Sequence, residues 1–297
     1  MGTPDFAKTS LERLYSDGHD IAGVFTQPDK PSNRGMNVTF SPVKELAITH
    51  GTPLFQPDSL NTKLALDVLI NLGCELIVVV AYGKILPREM LELPPYGCIN
   101  IHASLLPKYR GAAPIQWAIL NGDMETGVTS MYVTEELDAG DTLYIKKTII
   151  GENETAGELY NRLSALGAEL LSETIGKISS GEAVGVVQDH SRVTLAPPLK
   201  KDMSLIDWSE NAVTIKNKVR GLNPWPVATA ELDEIIYKIF SVEIRNMDAV
   251  GAPGEIIASD ANGIEVACSD GTVIIKELQA PGGRRMTAAD YLRGHKI

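Results

Sequence analysis

Apolar and polar residues along the first 190 positions alternate between a strand-like and a helix-like period. Four short apolar stretches predict strands, namely IAGVFT at 21–26, LIVVVA at 76–81, CINIH at 98–102 and TGVTSMYV at 126–133. Between them lie the helical patterns TSLERLYSDG, PVKELAITHG and TKLALDVLINLG, each ending near a glycine. This alternation predicts an α/β fold with βαβ crossovers and a mostly parallel, doubly wound sheet.

The pattern changes near residue 188. A long amphipathic helix is predicted over 155–181, and the stretch 188–206 then contains two prolines and no clear period, which is typical of a linker. Beyond it, the short helix AVTIKNKVRGL precedes short strands at turn-marked intervals, which predict a small β-barrel of five or six strands. The predicted domains are 1–187 and 207–297, joined by the linker 188–206.

The first residues do not follow the expected order of elements. MGTPDF is a turn that leads directly into a helix, whereas a doubly wound domain opens with a strand. Either the fold lacks its first strand or roughly 5–8 residues, a usual strand length, precede Met1. We expect the second.

Composition is typical of a globular protein of the cytoplasm. Hydrophobic residues make up 44% and charged residues 22% of the 297 positions, and no apolar run is long enough to span a membrane. The N-terminus lacks the basic and apolar regions of a secretory signal. Cys74, Cys98 and Cys268 form no paired framework, so we expect free thiols.

A net charge of −11 argues against a nucleic-acid partner, but the charge is uneven. From Lys200 onward, 12 Lys/Arg face 14 Asp/Glu, a net of −2, which leaves −9 for residues 1–199. The cations of this part cluster at Lys200 and Lys201, at Lys216, Lys218 and Arg220, at Arg284 and Arg285, and at Arg293 and Lys296. Solvated charged faces remain the simpler interpretation of such clusters.

Polar side chains mark the ends of two predicted strands. Asn100 and His102 lie two apart at the end of CINIH and therefore share one face. Asp138, in LDAGD at 137–141, ends the next strand, and we expect strand ends to converge on one crevice. An amide and an imidazole can hold a developing oxyanion while a carboxylate orients the imidazole, which suits acyl-type transfer.

Other chemistries lack their motifs. G-x-S-x-G, G-x-x-x-x-G-K-[ST] and G-x-G-x-x-G after a strand are missing from the sequence, and no His/Cys cluster has the spacing of a zinc site. We therefore expect no metal and favour direct transfer between two bound substrates over a covalent acyl-enzyme.

These residues also carry a resemblance. NIHASLLPKYRGAAPIQWAILNGDMETGVT followed by LDAGD resembles the 10-formyltetrahydrofolate-dependent formyltransferases. GTPDF, FTQPDKPSNRG with SPVKELA, VVVAYGKILP and RGLNPWP resemble the branch that acts on methionyl-tRNA. The resemblance spans the whole chain and implies a Rossmann-like N-terminal domain, a C-terminal OB-like barrel and formylation of methionine on initiator tRNA. We expect a monomer with no membrane partner.

The resemblance also implies roles for individual residues. The catalytic trio falls on Asn100, His102 and Asp138, with Asp141 secondary. Contacts to the folate cosubstrate fall on Ser104, Leu105, Leu106 and Pro107 and on Tyr82, Gly83, Ile85 and Leu86.

In the formyltransferases that this chain resembles, the loop that corresponds to residues 27–44 reaches the acceptor stem of the tRNA. Lys30 and Arg34 match its basic positions, whereas Asn33 and Met36 replace a more common glycine and lysine and make the loop less basic. Further contacts to tRNA phosphates are assigned to Lys200, Lys201, Lys216, Lys218, Arg220, Arg284 and Arg285. For Trp225 in LNPWP, anchoring a turn is the favoured role.

Two alternatives remain open. The first is a formyltransferase acting on a small amine, such as glycinamide ribonucleotide or an amino-sugar nucleotide. A glycinamide ribonucleotide enzyme resembles only the N-terminal domain and leaves the C-terminal residues without a counterpart. An amino-sugar enzyme is not expected to carry the motifs TQPDKPSNRG and LNPWP. The second is a non-catalytic RNA-binding homologue, against which the intact trio argues.

Overall fold

The computed structural model describes residues 1–32 and 37–297, with the backbone alone for residues 30–32, 37 and 38. Its helices are α1 (Asp5–Ser16), α2 (Pro42–Thr49), α3 (Lys63–Leu72), α4 (Arg88–Leu91), α5 (Pro114–Leu120), α6 (Ala156–Ser179), α7 (Ala212–Gly221) and α8 (Ala288–Leu292).

The strands between these helices range from two to twelve residues. They are β1 (Val24–Phe25), β2 (Lys30–Ser32), β3 (Asn37–Thr39), β4 (Leu54–Phe55), β5 (Ile77–Val79), β6 (Cys98–His102), β7 (Arg110–Gly111), β8 (Glu125–Tyr132), β9 (Thr142–Ile149), β10 (Leu195–Ala196), β11 (Ala228–Leu232), β12 (Ile235–Asn246), β13 (Ile256–Asp260), β14 (Gly263–Cys268), β15 (Gly271–Gln279) and β16 (Met286–Thr287).

The chain folds into two compact units, each built from three stretches of sequence. The first unit comprises Met1–Gly111, Thr126–Thr148 and Tyr160–Leu195, and the second comprises Ala112–Glu125, Ile149–Leu159 and Ala196–Ile297. The second unit thus draws on two stretches that precede the predicted domain limit at residue 187.

The first unit contains a four-stranded sheet in the order β5-β6-β8-β9. β5 and β6 are parallel, whereas β8 runs antiparallel to β6 with His102 opposite Thr129. β1 and β4 pair in parallel nearby. Gly2 forms a parallel bridge to Val80, and its N–H donates to the Phe25 carbonyl oxygen at 2.9 Å. The start of the chain therefore bonds to residues of two predicted strands.

Local sequence explains where the helices of this unit begin and end. The Thr62 hydroxyl accepts the Ala65 N–H at 3.2 Å at the start of α3, and Gly73 ends that helix with a φ of 57°. Ser41 caps α2 in the same way, with Pro42 at the first helical position. These signals lie within the predicted helices at 42–51 and 62–73, which the structure confirms.

All four predicted strands occur, although two are shorter than their apolar stretches. β9 was not predicted, because Leu143 is the one buried residue of this strand at the edge of the sheet and two lysines interrupt the apolar run. The structure confirms the long helix, which spans Ala156–Ser179.

The second unit contains a six-stranded antiparallel sheet in the order β11-β12-β15-β14-β13, with β16 paired to β15. The number of strands agrees with the prediction. Most strands that are neighbours in the chain pair as hairpins, and the long strand β12 also pairs with β15. Among the described residues, no pairing joins β11 to β13, so the sheet is an open one by its hydrogen bonds. The apolar core of this unit includes Ile215 and Val219 of α7, Ile239 and Ile275, all nearly inaccessible.

No helix among residues 1–32 and 37–297 is both long and apolar enough to cross a membrane.

Candidate active site

Asn100 and His102 lie on the polar face of β6, a strand paired on both sides. Ile99 and Ile101 point to the opposite face, where Gly167 of α6 approaches: a Cβ built on that glycine would lie 3.0 Å from the Ile101 Cγ2. The alternation predicted from CINIH is therefore confirmed. It places an imidazole that is only 6% exposed beside a half-buried amide.

The two ring nitrogens of His102 have different surroundings. Nε2 lies 2.8 Å from the Tyr109 carbonyl oxygen. A carbonyl oxygen can only accept, so Nε2 carries a hydrogen in both the neutral and the protonated ring. Nδ1 faces the Asp138 Oδ2 at 3.6 Å, a distance too long for a direct hydrogen bond.

The Asp138 carboxylate reaches three partners. Its Oδ1 lies 3.5 Å from Nδ2 of Asn100, and its Oδ2 accepts the Gly111 N–H at 2.8 Å besides facing His102. The side chain is 12% exposed, and the backbone is left-handed with a φ of 50°. The structure thus brings the predicted trio of amide, imidazole and carboxylate together within one unit.

The element that places Asp138 beside Asn100 and His102 is not the one expected from the sequence. Because β8 runs antiparallel to β6, with Tyr132 opposite Ile99, its carboxyl end does not meet that of β6. The turn between β8 and β9 instead extends back toward Asn100 and His102. A Cβ on Gly140 would lie only 1.9 Å from the Tyr132 carbonyl oxygen, so this turn requires glycine there.

The thiol nearest the site is not a nucleophile. Cys98 is two residues before Asn100 in β6 and 2% exposed. Burial raises the pKa of this thiol to about 12, so it is protonated at neutral pH. Among the described residues, no group of three or more His, Cys, Asp or Glu is arranged to hold a metal ion.

The segment Ser104–Pro107 follows β6 directly and is held by short internal bonds. The Ser104 hydroxyl donates to the Lys108 carbonyl oxygen at 2.6 Å. Thr129 of β8 accepts the Leu106 N–H at 3.2 Å and donates to the Ser104 carbonyl oxygen at 2.7 Å. Ser104 and Leu106 are buried, whereas Leu105 and Pro107 are half-buried and accessible to a ligand.

The segment 82–87 also contains both buried residues and residues accessible to a ligand. The Gln27 side chain donates to the carbonyl oxygens of Tyr82 and Gly83, at 2.9 and 3.3 Å. Tyr82 and Leu86 are buried, and the Tyr82 hydroxyl, whose pKa burial raises to about 12, has no partner among the described residues. Ile85, in contrast, is 74% exposed.

The predicted tRNA contacts are less uniform. Arg34 lies outside the described residues, and of Lys30 the structure gives the backbone in β2, which pairs with β3. Lys200, Lys201 and Arg284 are exposed and make no ion pair within the described part of the chain.

The remaining predicted cations have protein partners. Lys216 pairs with Glu152 at 3.0 Å, and Lys218 lies 4.0 Å from Glu210. Arg220 is half-buried and donates to the carbonyl oxygens of Gly151 and Glu154 at 3.0 and 3.3 Å. Arg285 pairs with Glu277 and lies over the Phe240 ring.

Two residues near the trio were given no role from the sequence, although Arg110 lies within the motif NIHASLLPKYRGAAP. Arg110 and Gln188 are 4% and 5% exposed, hydrogen-bond to each other, and stand 78 positions apart. No local motif links such distant positions.

Comparison with known proteins supplies the family. Residues 1–175 match the formyl transferase model, and residues 198–296 match that of the formyl transferase C-terminal domain. The chain belongs to the formyl transferase family. The methionyl-tRNA formyltransferases of Alkaliphilus oremlandii (strain OhILAs) and Citrifermentans bemidjiense are 48% and 47% identical to it. Each alignment covers the whole chain, and 96% and 93% of those proteins respectively.

Solved structures of the formyl transferase family share this fold. The N-formyltransferase from Helicobacter canadensis, solved in complex with folinic acid and dTDP-3-aminofucose, superimposes with a TM-score of 0.67. The match covers 96% of this chain and 97% of that protein at 18% identity. The predicted family and two-part fold are confirmed.

Proposed function

We propose that this protein transfers the formyl group of 10-formyltetrahydrofolate to the α-amino group of methionine on initiator methionyl-tRNA. The observation that carries the proposal is the convergence of Asn100, His102 and Asp138, in a chain nearly half identical over its length to proteins named methionyl-tRNA formyltransferase. The same assignment implies a cytoplasmic enzyme of translation initiation.

Direct attack by the amine accounts for the whole transfer. The neutral α-amine attacks the formyl carbon, a C–N bond forms and the carbonyl oxygen takes the electron pair. On collapse of this tetrahedral intermediate the bond from the formyl carbon to N10 breaks. The amine loses one proton and N10 of the departing tetrahydrofolate gains one, so the step needs no external oxidant or reductant.

The three residues of the trio stabilise the oxyanion of this step and accept the proton of the amine. Among the described residues, the Asn100 Nδ2 makes one side-chain contact, a long one of 3.5 Å to Asp138, which leaves it available to donate to the oxyanion. Nε2 of His102 is bound to Tyr109, so Nδ1, which lies 3.6 Å from the Asp138 Oδ2, is the nitrogen left to donate to the oxyanion. Asp138 orients that ring and accepts the proton of the amine through a water.

The cosubstrate is assigned to the accessible parts of two segments. Leu105, Pro107, Gly83 and Ile85 offer surface to the folate, whereas the buried Ser104, Leu106, Tyr82 and Leu86 hold those segments in shape. For the tRNA, the exposed Lys200, Lys201 and Arg284 are the cations most free to meet phosphates, together with Lys30 and Arg34 of the loop 27–44.

Formyl transfer to competing acceptors tests the proposal. Initial rates are measured with 10-formyltetrahydrofolate and initiator methionyl-tRNA, glycinamide ribonucleotide or dTDP-3-aminofucose, for the wild type and for Asn100→Ala. We expect transfer to the tRNA alone, and its loss in the variant. Transfer to a small amine but not to tRNA contradicts the proposal in favour of a small-amine enzyme. Binding of tRNA without any transfer favours the non-catalytic alternative.

A further inference from the structure

The Gln188 side chain uses its full hydrogen-bonding capacity on the turn that carries Asp138. Its Nε2 donates to the backbone carbonyl oxygens of Asp138 and Gly140, at 2.9 and 2.8 Å. Its Oε1 accepts from Nε and Nη2 of Arg110, at 3.2 and 2.9 Å. An amide offers two donor hydrogens and two acceptor lone pairs, so every one of them is engaged.

These bonds fix which way the amide faces. Two carbonyl oxygens can only accept, and a guanidinium can only donate, so the reversed amide would oppose like groups on both sides. Arg110 is 4% exposed, and its outer contact is a 3.3 Å ion pair to Glu136, whose side chain is 70% exposed. The inner bonds are thus shielded from water and the outer one is not, which makes the inner bonds the stronger constraint.

Among the described residues, the backbone of residues 138–140 makes one other hydrogen bond, and it is long. Asp138 adopts a left-handed backbone with a φ of 50°, which is unfavourable for a residue other than glycine. Within the turn, the Ala139 N–H lies a long 3.4 Å from the Glu136 carbonyl oxygen. The backbone of the Gln188 segment is meanwhile anchored two residues earlier, where Val186 and Thr142 exchange N–H···O bonds of 2.8 and 2.9 Å.

We propose that Gln188, aligned by Arg110, is a positioning residue that holds the turn 138–140 so that the Asp138 carboxylate spans Asn100, His102 and Gly111. The proposal rests on the function proposed above, in which Asp138 is catalytic. Gln188 touches no reacting atom in this assignment. It acts by fixing the backbone on which the carboxylate stands.

The substitution Gln188→Glu distinguishes this role from one in which Gln188 only provides an acceptor for the Arg110 guanidinium. The carboxylate keeps an acceptor for the guanidinium and adds a charge, but it loses both donors and directs oxygen at two carbonyl oxygens. We expect kcat to fall by about 10- to 100-fold, because small displacements of a catalytic group cost this much. KM for tRNA and folate should stay near the wild-type values, since the substitution leaves every proposed binding residue in place.

Two further variants complete the kinetic test. Gln188→Asn keeps the amide but shortens its reach, so it should show a smaller loss of kcat and serves if the Glu variant does not fold. Glu136→Gln removes only the exposed ion pair and should leave kcat within about twofold of wild type. A wild-type kcat in Gln188→Glu and Gln188→Asn, or loss confined to KM, would overturn the proposal.

Hydrogen exchange provides a readout that does not depend on activity. The Gly111 N–H donates to the Asp138 Oδ2, so its exchange rate reports whether the carboxylate is in place. In Gln188→Glu we expect this amide to exchange about tenfold faster or more, with unchanged rates in Glu136→Gln. If the wild type transfers no formyl group, the proposed function fails, whereas unchanged Gly111 exchange in the Gln188 variants refutes the positioning role alone.

Discussion

The end of β6 and the helix α7 both carry polar residues that sequence singled out, and the structure uses them in opposite ways. At the end of β6, each polar atom faces another functional group: His102 faces Asp138, and Asp138 faces Asn100. On α7, Lys216 and Arg220 point to carboxylate or carbonyl groups of the neighbouring stretch 149–159 in the same unit. Buried polar side chains that face one another are therefore better guides to chemistry than cations on a helix surface.

The largest effect should come from the strand end. Asn100→Ala and His102→Ala should each lower kcat on the order of 100-fold or more, because each removes a donor to the oxyanion. Lys216→Gln, in contrast, should leave kcat unchanged. Steady-state formyl transfer with far-UV circular dichroism as a folding control measures both. Near wild-type kcat in folded Asn100→Ala would remove the basis of the comparison.

Gly140→Ala tests the turn rather than the chemistry. The added Cβ would lie 1.9 Å from the Tyr132 carbonyl oxygen, so the backbone must shift. We expect a loss of about 1–3 kcal/mol or more in the free energy of unfolding, measured by urea denaturation. Gly176→Ala on α6 is the matched control, since nothing lies within 4 Å of a Cβ built there. Equal stability of both variants would show that the turn tolerates displacement.

Binding of tRNA should separate free cations from paired ones. Replacing Lys200, Lys201 and Arg284 by Gln should weaken tRNA binding and lower the magnitude of the slope of log K against log salt by about 0.7–0.9 for each phosphate that these side chains neutralise. Lys216→Gln and Lys218→Gln should change the slope less, because those side chains already face Glu152 and Glu210. Filter binding at several salt concentrations decides, and a larger change for the paired lysines would reverse the ranking.

The smallest effect concerns the base of the loop 27–44. The buried Lys44 amine bonds to Asp29 and, at 2.9 Å, to the Gln56 Oε1, and the bond from Lys44 lowers the pKa of Asp29 below its ordinary value. A lowered carboxylate pKa stabilises the fold above its unfolded value of about 4, and this is lost as pH falls through the folded pKa. The stability difference between wild type and Asp29→Asn should therefore shrink as pH falls from 7 to 3. Urea titrations measure it, and a constant difference would contradict the assignment.

Sequence was most informative where a local period sets the geometry. Alternation in CINIH placed Asn100 and His102 on one face correctly, and capping residues marked the ends of α2 and α3. Asp138 was identified, but the expected route of its approach was wrong, because β8 is antiparallel and only its turn returns to the site. The direction of a strand depends on pairing with distant residues, which a local pattern does not contain.

Long-range bonds were beyond the reach of the sequence. Gln188 lies in a stretch predicted as linker, and its partners Arg110 and Asp138 are 78 and 50 positions away. The strand β9 was missed because its two lysines interrupt a pattern that alternates only between half-buried and exposed positions after Leu143. Neither feature follows from composition or periodicity, since both depend on which segments meet in the folded chain.

The bonds from Arg220 to Gly151 and Glu154 have a consequence for how such a gene can be recombined. Because each unit uses three stretches in alternation, the chain passes from one unit to the other five times. A crossover in the stretch between 175 and 198 would transfer α7 and its sheet without the residues that Arg220 binds. A recombinant protein of this kind would have an incomplete second unit. We therefore expect the three stretches that form the second unit to be inherited together.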